Sequence, residues 1–152
     1  MKRKRRQSPK RDEIVQYAMA PEMWNYYFGF RVSDGSRFDH GPYSGFSTLT
    51  LEGKLIAPEG LKYPRMRMTL SASKELLRDK VAEPATSIGM LSAQGNVIDA
   101  YIFIPAESMA ELTSVAHSGC LKVATVNGTR LRWRSAVAKS VSISTEYDSD
   151  DH

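Results

Sequence analysis

Residues 24–32, WNYYFGFRV, alternate in side-chain type with a period of two. Trp24, Tyr26, Phe28, Phe30 and Val32 fall on one face of an extended chain, and Asn25, Tyr27, Gly29 and Arg31 on the other. Aromatic residues in strict alternation predict a half-buried strand. On that reading the Trp24/Tyr26/Phe28/Phe30 stripe is core. Tyr27, beside Arg31 on the opposite face, is the ring nominated for contact with a ligand.

The flanks extend the pattern. Upstream, Asp12 and Glu13 lead into IVQYAMA, read as a short helix that stops before Pro21. Downstream, residues 33–45 hold four Gly or Pro among polar residues and read as loop. Residues 46–57 form a second strand, with Gly53 marking a bulge or turn. From Arg65 to Ala72 the alternation returns, with Met66, Met68, Leu70 and Ala72 inward. Ser73 caps a short helical turn, KELLRDKV, which Pro84 closes.

Residues 87–93 and 97–104 form a hairpin around Gly95-Asn96, a pair that suits a type II′ turn. Its second strand is apolar on both faces apart from Asp99, the mark of a central strand covered on both sides. The one long helix covers 105–118. Pro105 suits its first position, Met109, Leu112, Val115 and Ala116 make its apolar stripe, and Gly119 stops it. Asn127-Gly128 then predicts a second hairpin with a type I′ turn, and residues 136–145 a last strand.

About eight strands and one main helix predict a mainly β (α+β) chain. The expected architecture is a single-domain antiparallel β-sandwich or a strongly curved sheet, with the helix across one opening. The globular domain spans 12–145, between a basic arm at 1–11 and an acidic tail at 146–152, both expected to be disordered.

Charge is concentrated in those two segments. Lys2, Arg3, Lys4, Arg5, Arg6, Lys10 and Arg11 account for seven of the 21 basic residues, and 146–152 for four of the 17 acids. The body between them is left near neutral, at about +1. No apolar run approaches the ~20 residues of a membrane span, and no apolar segment follows the basic start as in a signal peptide. These features predict an intracellular protein, cytoplasmic, or nuclear if eukaryotic. Cys120 is the single cysteine, which excludes an internal disulfide and a multi-cysteine metal site. It reads as a small buried hydrophobe.

A basic arm on a neutral body points to a polyanion partner, DNA or RNA, whose phosphates Lys and Arg neutralise with release of counterions. Ser8-Pro9-Lys10-Arg11 resembles one S-P-K-K/R unit of linker-histone tails. An address signal or an anchor to acidic membranes is the competing use of such an arm. With the type I′ turn at Asn127-Gly128, Arg130, Arg132 and Arg134 stand on one strand face opposite Leu121, Val123 and Thr125. Such a face suits phosphate contacts or plain solvation. Arg65 and Arg67 repeat the pattern on another strand.

Enzyme signatures are sparse. There is no Walker A loop, G-x-G-x-x-G, H-E-x-x-H or G-x-S-x-G. No catalytic residue, metal site or cofactor is assigned. If chemistry occurs, its place is the 33–45 loop, where Asp34, Asp39 and His40 gather and Asp39 could orient the imidazole. The leading expectation is a non-enzymatic nucleic-acid-binding protein that uses residues 2–11 together with Arg130, Arg132 and Arg134. The alternative is a protein-interaction or assembly subunit, including a homo-oligomer, in which the arm serves assembly or addressing.

Overall fold

The computed structural model describes residues 13–33, 41–73 and 86–146. The basic segment, the loop residues Asp34, Asp39 and His40, the KELLRDKV segment and all of the acidic segment after Glu146 lie outside them.

Among the described residues seven strands and one helix follow each other in the order β1 (Ile14–Val32), β2 (Tyr43–Ala57), β3 (Arg65–Ser73), β4 (Gly89–Gln94), β5 (Val97–Pro105), α1 (Ser108–Ser118), β6 (Val123–Thr129) and β7 (Ser135–Ser144). The chain is mainly β, as its alternation predicts. The strongly curved sheet closes on itself as a barrel, in the order β1-β2-β3-β5-β4-β7-β6 and back to β1. Every neighbouring pair is antiparallel except β3 and β5, which run parallel in unbroken register from Arg65↔Val97 to Ser73↔Pro105. Within the barrel, closure removes the sheet edges that an open sandwich would expose.

The core lies inside the barrel. Met66, Met68 and Leu70 point inward from β3, as their spacing predicts, and meet Leu49 and Leu51 of β2 and Ile98 and Ile102 of β5, all fully buried. β5 lies between β3 and β4, but it is covered on one face only: Tyr101 and Phe103 on its outer face are each 43% exposed, because a closed barrel buries the inward face alone. The β4–β5 hairpin turns at Gly95 with φ of 58°, and among the described residues Asn96 is not in the left-handed region, as a type II′ turn requires.

Three local expectations are corrected. IVQYAMA is not helical but opens β1, with Tyr17, Ala18 and Met19 buried. Ile14, Val15 and Tyr17 favour extended backbone, and pairing with both β2 and β6 overrides the helix-like flanks. Pro21 is accommodated because the β1–β2 register shifts between Pro21 and Met23. Gly53 lies opposite that shift, and any Cβ there would come within 1.9 Å of the Ala20 carbonyl oxygen. The helix starts at Ser108, and Pro105 ends β5 instead of opening α1. Cys120 is exposed, just past the helix end at Gly119, and is not a core residue.

Helix α1 buries Met109 and Ala116 against the barrel core, with Leu112 half-buried beside them. It packs where β5 finishes. At this same end β1 and β2 run on past the barrel. The last β2–β3 pair is Thr48↔Ser71 and the last β1–β6 pair is Met19↔Ala124. Beyond these, β1 and β2 pair only with each other, out to Val32↔Tyr43. The opposite end of the barrel carries Ile14, the Gln94–Val97 turn and the link from Thr129 to Ser135.

Candidate nucleic-acid interface

The β6–β7 link places the three sequence-predicted arginines of the body in a setting their spacing did not reveal. Asn127-Gly128 is not the turn. Both residues lie within β6, where Gln16↔Asn127 and Val15↔Gly128 pair with β1. The β6–β7 register shifts between them, and a Cβ on Gly128 would stand 2.5 Å from the Val137 carbonyl oxygen. Glycine is needed here for close backbone approach at a bulge, not for a turn. Asn127 donates from Nδ2 to Ser140 Oγ at 3.1 Å.

The turn lies six residues further on. Arg132 N–H donates to the Ser135 carbonyl at 2.8 Å, and Ser135 N–H donates back to the Arg132 carbonyl at 2.9 Å. Between them Trp133 and Arg134 have φ of 52° and 62°. Two central residues with positive φ inside a reciprocally bonded pair make a type I′ turn. Such turns favour Asn-Gly, because a side chain in the left-handed region costs about 1–2 kcal/mol. Here the positions hold Trp and Arg. The Trp133 side chain is 100% exposed. Strain of this kind, with no burial in return, is the kind of outlier that marks a functional surface.

Arg132 and Arg134 therefore stand on either side of the exposed Trp133 along the turn, with Arg130 two residues before Arg132, and the three do not form a ladder on a strand face. All three are exposed. Arg130 reaches Glu13 at 3.9 Å, with both side chains mostly in solvent, so the pair holds the guanidinium weakly. The turn is tied to β4 by Ala93 N–H, which donates to the Arg134 carbonyl at 3.0 Å. It is tied to the core by Tyr17. The buried Tyr17 hydroxyl donates to the Thr129 carbonyl at 2.8 Å and accepts from Leu131 N–H at 3.1 Å. Burial pushes the Tyr17 pKa up, against the opposing pulls of the Leu131 hydrogen bond and the Arg130 charge. Glu13 stands immediately before β1, so the contact sets this segment beside the start of that strand.

Arg65 and Arg67 belong elsewhere. β3 borders β2 and β5, so these two share no strand neighbour with the Arg130–Arg134 segment. They sit in an ion-pair row across the outer surface. Arg65 contacts Glu22 at 3.3 Å and Glu52 at 3.6 Å, and Arg67 contacts Glu52 at 3.6 Å and Asp99 at 3.2 Å. Three carboxylates against two guanidiniums make this a neutralised surface, unsuited to phosphate.

The aromatic stripe of β1 is not core. Trp24, Tyr26, Phe28 and Phe30 are 41–65% exposed. Period two identifies the residues that share a face; it does not say whether anything covers that face, and here the strand outruns the barrel. Tyr27, on the other face, stacks on Phe46 with ring centroids 5.4 Å apart. An apolar cleft of about 350 Å³ lies between α1 and β5 and β7, bordered by Leu70, Ile104, Leu112, Val115, Val141 and Ile143. Among the described residues Glu111 is its one ionisable lining group. Among the described residues no group of three or more His, Cys, Asp or Glu could hold a metal ion, and no helix is long and apolar enough to cross a membrane.

No protein-family model, no curated protein and no solved structure matches this chain.

Proposed function

We propose that this protein binds single-stranded DNA or RNA at the barrel end that carries Arg130–Arg134, with the basic residues of 2–11 as further phosphate contacts. The observation that carries the reading is the fully exposed Trp133, held in a strained type I′ turn between Arg132 and Arg134. An indole offers a face on which an unpaired base can stack, and adjacent guanidiniums meet the phosphates on either side. A duplex hides its base faces, so this combination favours single strands. Lys2, Arg3, Lys4, Arg5, Arg6, Lys10 and Arg11 precede Glu13 in sequence and would supply further cations for the phosphates. An intracellular location follows from such a partner. Metal, cofactor and catalytic residue have no part in this reading.

The test is fluorescence anisotropy of labelled single- and double-stranded oligonucleotides across a salt series. For single strands the slope of log K against log salt is about −0.7 per phosphate neutralised, so ten cations set a limit near −7 and the three turn arginines alone about −2. Loss of one stacked base costs about 1–3 kcal/mol, so Trp133→Ala should weaken binding by roughly 5- to 150-fold. Arg130→Ala/Arg132→Ala/Arg134→Ala should flatten the salt slope by about 2. No binding by the full chain near physiological salt, or binding indifferent to Trp133 and these arginines, overturns the proposal.

A further inference from the structure

We infer that two copies of this chain associate through the aromatic face of the β1–β2 hairpin, at the end of the barrel opposite the proposed nucleic-acid interface. Directly paired residues of neighbouring strands share a face. The pairs Trp24↔Leu51, Tyr26↔Leu49, Phe28↔Ser47, Phe30↔Gly45 and Val32↔Tyr43 therefore form one continuous surface. Leu49 and Leu51 belong to the barrel core. Trp24, Tyr26, Phe28, Phe30, Val32 and Tyr43 are the same core face carried past the rim, where they remain 41–73% exposed. Helix α1 meets the base of this face, where His117 contacts Trp24 edge-to-face with ring centroids 5.7 Å apart. Phe30 and Tyr43 stack on each other further out, at 5.6 Å.

The size of this face fits a second copy. An aromatic side chain carries about 150–250 Å². At exposures of 41–73% the six side chains leave roughly 600 Å² uncovered per chain. That is as large as the biggest apolar patch of a typical monomer, about 300–600 Å². Two such faces packed together would remove about 1,200 Å² from water, the lower bound for a specific interface. A two-stranded ribbon standing alone is marginal in water, and a second ribbon stacked on it at sheet-packing distance supplies a second layer. The contact is isologous, each hairpin meeting its own copy.

Charge decides the occupant. Across 24–32 and 43–51 the only charged residue is Arg31, and it lies on the opposite face, paired with Ser44. The aromatic face therefore offers nothing to neutralise phosphates, as a polynucleotide would need. It also carries no charge to repel its own copy.

The test is the mass of the full chain by sedimentation velocity from about 1 to 100 μM, without nucleic acid or lipid. The expected result is twice the chain mass. Phe28→Ser/Phe30→Ser should give single chains, with association weakened by at least tenfold and unchanged far-UV circular dichroism. Tyr27→Ser, on the other face, should remain dimeric. A measurement that needs no change to the aromatic face uses Ser44→Cys in a Cys120→Ser background. Donor- and acceptor-labelled copies should then show energy transfer when mixed. A single-chain mass throughout the range overturns the inference. So does a dimer unaffected by Phe28→Ser/Phe30→Ser, or one that forms only with oligonucleotide or phosphatidylcholine vesicles. Because dimerisation is read without nucleic acid, its failure leaves the binding proposal standing, and the reverse also holds.

Discussion

The Tyr17 hydroxyl bridges the Thr129 carbonyl and the Leu131 N–H, at 2.8 and 3.1 Å, joining the interior of β1 to the segment that leads into the Arg132–Ser135 turn. One hydroxyl serves two backbone groups, at the last residue of β6 and two residues beyond it. Tyr17 is therefore a positioning residue for the turn, and its ring contributes to the core at the same time.

Tyr17→Phe keeps the ring and removes the oxygen. The Thr129 and Leu131 backbone groups lose their partner, at a cost of about 1–3 kcal/mol. Urea unfolding should show that loss. Oligonucleotide affinity should fall less than in Trp133→Ala, because the cations and the indole remain. An unchanged unfolding midpoint would show that the two hydrogen bonds contribute nothing to stability.

The same residue sets an alkaline limit. Burial raises the Tyr17 pKa above its ordinary 10.0, so the folded state retains the proton after the unfolded chain has released it. Stability from this group is complete below pH 10.0 and declines as pH rises from there through the higher folded value. Thermal melts between pH 9 and 12 should show a decline in the native chain that is shallower in Tyr17→Phe. Parallel curves would assign alkaline unfolding to other groups.

Trp133-Arg134→Asn-Gly places the preferred type I′ pair in the turn. Relief of two left-handed side chains should stabilise the fold by about 1–3 kcal/mol. The same change removes the stacking face and one cation, so affinity for single strands should drop while the melting temperature rises. Opposite movement of stability and binding would show that the strain is retained for function. A lower melting temperature would mean that Trp133 stabilises the fold.

Gly53→Ala sets a methyl group against the Ala20 carbonyl at the β1 bulge, with backbone and not a flexible side chain in its way. We expect a loss of about 1–3 kcal/mol in chemical denaturation. Wild-type stability would mean that the β1–β2 register relaxes easily.

Arg67→Ala should change stability by less than about 1 kcal/mol, since its Glu52 and Asp99 pairs are partly solvated. Oligonucleotide affinity should not change. A clear drop in affinity would move the interface onto the β2–β3–β5 surface.

The amino-acid sequence by itself determined the strands of β3 and β5, the Gly95 turn, the inward face of α1 and the mainly β class. In each of these, periodicity and turn chemistry act between near neighbours. Met66, Met68 and Leu70 are inside because their alternation has only one buried face to serve. Tertiary structure alone decided closure of the barrel, which depends on β6 pairing with β1 across more than a hundred residues. It turned IVQYAMA into a strand, since pairing on both sides outweighs local helix signals. It moved the hairpin turn from Asn127-Gly128 to Trp133-Arg134, because a glycine that permits a turn equally permits close backbone approach. It left the aromatic stripe of β1 uncovered, because alternation marks a shared face while only the length of the neighbouring strands decides what covers it.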